Sequence, residues 1–421
     1  MKNKFSEKDL LIIGSHAKKA SRYLSQINSK LKNDMLCFAA ETLSKKKDLI
    51  LKANEKDIEE NKEKLNSATL DRLIFSEIRV DAISNGIVEI SRLDDPVGKI
   101  IDSWSRPNGL KIDKVSIPFG VIGVIYESRP NVAADAAGLC LKSGNSLILR
   151  GGSESFNSST KIVELINESY KKFNVPIGIL QNIPTRDRSA VGHLLRMDRY
   201  VDVIIPRGGK SLIERVIKES KVHVIRHLDG ICHTYIHKTS DKKLSEEITI
   251  NAKMRRPGIC GATETILIDE EILESHLPPL IKSLLDLNCE VRGDNNVLKI
   301  NNNIKPAQEK DWSTEYLDKI VSIKTITKGV EEAVDHINSY GSGHTDAIIC
   351  EDEIIVDYFL DNVDIGIVMH NTSTQFADGG EFGMGAEIGI STSKVHARGP
   401  VGVAQLTSFK YKVKGSGQIR P

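Results

Sequence analysis

This sequence predicts an α/β fold with parallel, doubly wound sheets, and three observations carry the prediction. Between residues 118 and 225 short apolar runs alternate regularly with stretches of helical length, the pattern of strands joined by crossover helices. Glycine pairs stand where such strands hand over to helices, at Gly151-Gly152 and Gly208-Gly209. The chain's 421 residues exceed one ordinary core, so two or three domains are expected.

Ahead of that pattern, the first ninety residues read as helices. Met35, Leu36, Cys37, Phe38, Ala39, Ala40 and Leu43 form an apolar stripe, which places Cys37 in the core. Residues 45–64 are dense in Lys and Glu at helical spacing and read as a solvated helix face rather than a nucleic-acid site. From 98 to 118 the pattern changes to alternation, with residues 100–104 and 110–115 flanking Arg106-Pro107-Asn108-Gly109. Asn-Gly between alternating runs signals a hairpin. No sheet adjoins it in the sequence, which leaves two readings: an arm that pairs with another subunit, or a hairpin folded on its own domain.

The α/β segment opens with a buried strand at Val121–Tyr126 (VIGVIY). A helix over 131–142, a strand over 146–150, a helix over 154–173 and a short strand at 179–181 follow. Then come a helix over 186–197, a strand over 201–205, a helix over 209–219 and a strand at 222–225. Such sheets bind nucleotides at the carboxyl ends of their strands. Gly208-Gly209-Lys210-Ser211 imitates the end of a P-loop, but Ile204 stands where that motif needs glycine, and no GxGxxG follows a strand. What remains is two turns, Arg150-Gly151-Gly152 and Pro206-Arg207-Gly208-Gly209, where glycines and helix N-termini let a phosphate approach. Two such turns on one sheet suit a dinucleotide; ordinary strand-to-helix turns are the alternative.

The chemistry concentrates in residues 251–267 (NAKMRRPGICGATETIL). A helical run ends in Arg255-Arg256-Pro257-Gly258, so Cys260 falls on a tight turn ahead of an apolar strand at 265–268. The two arginines and the amides around Gly258 and Gly261 favour thiolate over thiol and attract an anionic substrate. On these residues alone, a nucleophile and a buried structural cysteine are equally good readings.

Composition narrows the class. With 40% hydrophobic and 27% charged residues the chain has the make-up of a soluble globular protein. Lys+Arg 58 against Asp+Glu 57 leaves a net charge of +1, so no global field favours nucleic acid or membrane, and anion recognition falls to local basic clusters. The cysteines (Cys37, Cys140, Cys232, Cys260, Cys289, Cys350) form no CxxC pair, which argues against zinc knuckles and a disulfide framework. His233 and His237 share a strand face, but that strand offers too few ligands for a metal. The N-terminus MKNKFSEKDL lacks an apolar core, and nowhere do about 18 apolar residues run together. A cytoplasmic protein without a metal is expected.

Four long motifs occur in order across essentially the whole chain: residues 117–152 (IPFGVIGVIYESRPNVAADAAGLCLKSGNSLILRGG), the turn VIIPRGGKSLI, the stretch NAK…RP..C..ETIL, and residues 376–400 (FADGGEFGMGAEIGISTSKVHARGP). Together they resemble the aldehyde dehydrogenase superfamily, and within it the branch that reduces an acyl phosphate. The resemblance implies Cys260 as nucleophile on L-glutamate 5-phosphate, with NADPH reducing the resulting thioester to L-glutamate 5-semialdehyde for proline biosynthesis. It implies backbone amides near Cys260 and the side chain of Asn131 as oxyanion donors. Around the cofactor it implies Arg150, Gly151, Arg207, Gly208, Gly209 and Glu315, with Arg150 suited to the 2′-phosphate and Glu315 to the nicotinamide ribose. Arg129, Arg256, His396 and Arg398 are its candidates for the substrate's carboxylate or phosphate.

Hydrolytic members carry a glutamate base in a Glu-Leu-Gly-Gly segment. Here the segment is His227-Leu228-Asp229-Gly230, which favours a reductase, with Asp229 the one substitute base. A hydrolytic NAD-linked aldehyde dehydrogenase and a non-catalytic nucleotide-binding scaffold are the rival readings. The chain departs from the family's usual pattern at Gly261, where an amide side chain is common; at Arg255, where Gln is; at Gln375, where Arg is; and at Lys414-Gly415-Ser416-Gly417.

The implied fold is aldehyde dehydrogenase-like, with two doubly wound α/β domains and a β oligomerisation arm. Residues 1–228 would form the dinucleotide-binding domain, with the hairpin arm at about 98–118. Residues 229–372 would form the catalytic domain, with strands near Ile266, Val321, Ala347 and Ile365. Residues 373–421 would return to the cofactor domain and end in an alternating strand at 406–413 that pairs with the hairpin across a dimer. A homodimer or homotetramer follows, and the upstream glutamate 5-kinase is a candidate partner.

Overall fold

The computed structural model describes residues 6–65, 67–227 and 229–420; Leu228, and with it the domain boundary expected there, lies outside them, as do residues 1–5 of the N-terminal segment. The chain forms two compact units, one of Met1–Arg226, Gly383–Gly389 and Val401–Pro421, the other of His227–Phe382 and Ile390–Pro400. The return to the first unit thus begins at Gly383 rather than at Ser373, and residues 390–400 interrupt it.

The first unit is built on five parallel strands in the spatial order Leu180–Asn182, Ser146–Gly151, Val121–Tyr126, Val203–Arg207, His223–Val224. Every residue of Ser146–Gly151 and Val121–Tyr126 is buried, because both faces of the sheet are covered. Ile122, Val124, Leu147 and Leu149 pack against the helices Ser29–Lys45, Glu77–Arg92, Val132–Lys142 and Phe156–Tyr170. Val121, Ile125 and Ile148 face the other way, onto Leu10 and Ala17 of Glu7–Leu24 and Leu194 of Ser189–Leu194.

One expectation in the helical region is corrected. Cys37 is exposed, whereas Met35, Leu36, Ala39, Ala40 and Leu43 are buried: Cys37 stands two residues past Met35, about 200° round the helix. The charge-dense helix Lys47–Asn61 presents the expected solvated face, with Lys52, Glu55, Lys56, Glu59 and Glu60 exposed, while Asn54 and Asp57 on its other side are buried. The Asp57 carboxylate accepts the backbone N–H groups of Asn157 (3.0 Å) and Ser158 (2.7 Å), capping Phe156–Tyr170 where the helix dipole favours an anion.

The hairpin forms, with Ile100–Ser105 antiparallel to Lys111–Pro118 and Gly109 at φ +87° in its turn. Its sheet partner is the chain's own C-terminal strand: Thr407–Lys414 pairs with Lys111–Pro118 from Thr407↔Pro118 to Lys414↔Lys111. The expected pairing of these two across a dimer is therefore corrected to pairing within one chain. The resulting three-stranded sheet leaves Ile100, Ile101, Phe409, Tyr411 and Val413 exposed.

The second unit holds seven parallel strands in the order Lys305–Pro306, Glu290–Gly293, Ile320–Ile326, Thr263–Asp269, Cys232–Ile236, Thr345–Ile349, Ile367–His370. The strand expected near Ile365 starts two residues later, at Ile367. Leu273–Asp286 packs on one face, and Val330–Tyr340 with Glu353–Asn362 on the other. Among the described residues no helix is long and apolar enough to cross a membrane.

His336, buried on Val330–Tyr340, has its ring 4.6 Å from Tyr340, 5.5 Å from His233 and 5.8 Å from Trp312. Burial holds its pKa down to about 3, against an ordinary 6.5. Between those values the unfolded chain binds the extra proton, so acidification favours unfolding. Going from pH 6.5 to about pH 5 should cost about 2 kcal/mol through this ring. Urea titrations at the two pH values should find that slope flattened in His336→Phe.

Candidate active site

Three neighbouring strands of the second unit, Cys232–Ile236, Thr263–Asp269 and Thr345–Ile349, bring their amino ends together. Each is preceded by a reactive side chain: His227, Cys260 and His344. Cys260 sits half-exposed on the turn after helix Lys242–Met254, where Ala262 N–H donates to the Ile259 carbonyl at 3.0 Å. Its Sγ and one ring nitrogen from each of His227 and His344 all lie within 4.8 Å of one another. The two rings lie against each other with centroids 4.9 Å apart, and His344 Nδ1 is 2.8 Å from Thr345 Oγ1. Cys232, whose thiol burial pushes well above its ordinary pKa, donates from Sγ to the Cys260 carbonyl at 3.1 Å. It is thus a buried support of the turn.

Gly230 fixes how closely the 227–231 segment approaches this turn. A Cβ there would lie 2.1 Å from the Cys260 carbonyl oxygen and 2.6 Å from its Cα, both backbone atoms. Gly230→Ala should therefore displace Cys260 and lower kcat about 100-fold, with cofactor binding unchanged; stopped-flow and equilibrium titration read the two separately. The Gly230 N–H donates to Glu315 Oε1 at 2.8 Å, so Glu315 braces the segment beside Cys260. The same loop is held two residues on, where Leu317 N–H donates to Glu264 Oε1 at 3.2 Å. Glu264 is fully buried, as is its ion-pair partner Lys253.

At the carboxyl edge of the first unit's sheet, Arg150, next to last in Ser146–Gly151, and Arg207, last in Val203–Arg207, stand on the strands either side of Val121–Tyr126. Arg150 is 5% exposed, and its Nη2 donates to the carbonyls of Arg186 and Asp187, both at 3.3 Å. Nη1 is taken by the Gly151 carbonyl. The fork expected for a phosphate is thus spent on backbone, while Nε, like Nε of Arg207, is buried with no hydrogen-bond partner among the described residues. At the glycine turns, a Cβ on Gly152 would lie 3.2 Å from Glu127 Cα, and one on Gly208 2.5 Å from Glu127 Oε2. Glu127 was not anticipated: its carboxylate accepts the Gly209 N–H at 2.9 Å, the amide expected to meet a phosphate. Two orphaned buried donors and glycine-lined turns are what an anionic dinucleotide would use.

The remaining candidates divide. Asn131 Nδ2 donates to Asp135 at 2.9 Å. Arg398 donates from Nη1 to Asp364 Oδ1 and from Nη2 to the Asp364 carbonyl, both at 2.6 Å. Arg256 and His396 are exposed and Arg129 half-buried; His396 has φ +74°. His233 and His237 do not meet: His233 Nδ1 lies 2.8 Å from Asp346 Oδ1 and His237 Nδ1 2.9 Å from Thr239 Oγ1.

Residues 3–308 match the aldehyde dehydrogenase family. The chain belongs to that family. It is 53% identical over 410 residues to the gamma-glutamyl phosphate reductase of Paramagnetospirillum magneticum, covering 97% of each chain. The crystal structure of gamma-glutamyl phosphate reductase from Thermotoga maritima superposes with a TM-score of 0.94 at 40% identity, over 98% of this chain and 100% of that one. The corresponding Saccharomyces cerevisiae structure gives a TM-score of 0.53 at 29% identity, over 97% and 98%.

Arg255 and Gln375, far apart in sequence, meet in space. Arg255 Nη1 is 3.5 Å from Gln375 Oε1, and Gln375 Nε2 donates to the Ala252 carbonyl at 2.8 Å. Both side chains stand on the wall of a cavity of ≈ 300 Å³ that Asn251, Phe376 and Glu381 also line. At Gly261, a Cβ would lie 3.1 Å from the Thr374 carbonyl oxygen, so a longer side chain there needs that segment to give way.

Proposed function

We propose that this aldehyde dehydrogenase family member reduces L-glutamate 5-phosphate to L-glutamate 5-semialdehyde and phosphate, using NADPH, on the route to proline in the cytoplasm. The observation that carries the mechanism is the half-exposed Cys260 thiol with two imidazoles beside it and histidine, not glutamate, at position 227.

A neutral imidazole accepts the thiol proton as Sγ attacks the acyl carbon. The C–S bond forms, the C–O bond to phosphate breaks, and phosphate leaves with the electron pair. When bound, NADPH supplies the hydride that the thioester carbon needs. Backbone amides of the Cys260 turn hold the developing oxyanion. Asn131 is their proposed helper, since its amide carries a second N–H beside the one that Asp135 takes. The oxyanion then re-forms the carbonyl as the C–S electrons return to sulfur, which releases the aldehyde and regenerates the thiolate. No carboxylate at 227 activates water against the thioester, which suits a reaction in which phosphate, not water, is the acyl partner.

For the cofactor, Arg150 and Arg207 offer their open Nε–H donors, Gly151, Gly208 and Gly209 allow close backbone approach, and Glu315 takes the nicotinamide ribose. For the substrate's anionic groups the candidates are Arg129, Arg256, His396 and Arg398, the last after exchanging Asp364 for substrate. The exposed apolar face of the three-stranded sheet suits a homodimer or homotetramer, and the glutamate 5-kinase that makes the labile acyl phosphate is the proposed partner.

The reverse reaction tests this reading. With glutamate semialdehyde and NADP+, reduction of the cofactor should depend strictly on added phosphate. Turnover without phosphate would make the chain a hydrolytic dehydrogenase, and NADPH binding without turnover would make it a scaffold.

A further inference from the structure

We infer that the Cys260 turn is also a zinc site, in which the Cys260 thiolate and one ring nitrogen each of His227 and His344 close on a single Zn²⁺ and take the nucleophile out of service. The inference rests on geometry in the second unit; only its inhibitory consequence rests on the proposed function.

The three ligand atoms lie within 4.8 Å of one another. Zn–S near 2.3 Å and Zn–N near 2.0–2.1 Å in a tetrahedral site separate such atoms by roughly 3.5 Å. Cys260 and His227 are both half-exposed, so rotation of their side chains can supply the closure of about 1 Å that remains. His344 is buried and is the fixed member. Its Nδ1 is 2.8 Å from Thr345 Oγ1, a side-chain contact of the kind that orients histidine ligands. One thiolate and two imidazoles form a donor set for zinc rather than magnesium or calcium. Three protein ligands leave a fourth position for water. Binding releases one proton from the Cys260 thiol and involves no change of oxidation state. None of the three residues is adjacent in sequence to another, so no CxxC or HxxxH spacing announces the site.

The test is titration of the metal-free full-length protein with Co²⁺ under anaerobic conditions. One Co²⁺ per chain with a thiolate-to-cobalt charge-transfer band, displaced by Zn²⁺, is expected, and Cys260→Ser should remove the band. His227→Ala and His344→Ala should each weaken Zn²⁺ binding at least about tenfold, and Thr345→Val, which retains all three ligands, about tenfold. X-ray absorption of the zinc-loaded native chain should find one sulfur and two imidazoles, independent of how any variant folds. Absence of the band, coordination by sulfur without imidazole, or unchanged affinity in both histidine variants would overturn the site. Micromolar Zn²⁺ should also abolish turnover, with recovery on chelation. Tight binding that spares turnover would leave the metal site standing and overturn Cys260 as the nucleophile.

Discussion

Cys260→Ser should abolish turnover, lowering kcat by at least about 10⁴-fold, while NADPH binding measured by fluorescence titration stays within twofold. The reason is chemical. A cysteine thiol is ionised to a few per cent near neutral pH and sulfur is intrinsically strongly nucleophilic, whereas a serine hydroxyl is almost wholly un-ionised there and is the weaker nucleophile. The half-exposed position of Cys260 makes the exchange of sulfur for oxygen sterically mild, so the protein should fold normally. An ester formed on serine would also be a poorer hydride acceptor than a thioester, so both halves of the reaction suffer. Activity within tenfold of the native chain would mean that the acyl group is carried elsewhere.

The largest effect on stability is expected from Lys253→Met. Lys253 and Glu264 form an ion pair with both side chains fully buried, and burial raises the Glu264 carboxyl to about 7 even though Lys253 pulls it down. Removing the ammonium leaves an uncompensated buried carboxylate, a loss of about 3–5 kcal/mol. The pH dependence identifies the cause. In the native chain the folded pKa of Glu264 lies above its unfolded value of 4.5. The folded state therefore holds the extra proton between those values, and this group's contribution to stability falls as pH rises from 4.5 to about 7. Without Lys253 the folded pKa climbs further, so the fall should continue to higher pH. Urea unfolding at about pH 6 and pH 8 would show a larger penalty at the higher value, and Lys253→Met with Glu264→Leu should recover most of it. Equal penalties at both pH values would mean that packing, not charge, is responsible. Glu264 also accepts the Leu317 N–H, two residues from Glu315, so the single variant should loosen the loop that braces Gly230.

Much of this architecture is written in local patterns. Apolar runs such as Val121–Tyr126 locate strands because a strand buried on both faces needs them, and Asn108-Gly109 locates the hairpin because only a residue tolerant of positive φ turns the chain there. Cys260 stood out from a helix end, a proline and two glycines within ten residues. Where local reading failed, the phase or partner of a side chain was at issue. Cys37 shared a hydrophobic stretch with its neighbours but not their face of the helix. The Gly209 amide looked ready for a phosphate and carries Glu127, a residue from a different strand end.

By itself, then, the sequence determined the α/β class, the strand and helix order, the hairpin and the candidate nucleophile, because hydrophobic periodicity and turn chemistry act over a few residues. Only the tertiary structure decided that Thr407–Lys414 completes the hairpin's sheet, that Lys253 and Glu264 share one buried site, and that His344 stands beside Cys260. These depend on which strands become neighbours. Cys232–Ile236 lies between Thr263–Asp269 and Thr345–Ile349, so the segments leading into all three strands converge on one edge. Strand order is set by the packing of the whole sheet, and no stretch of sequence around Cys260 contains it.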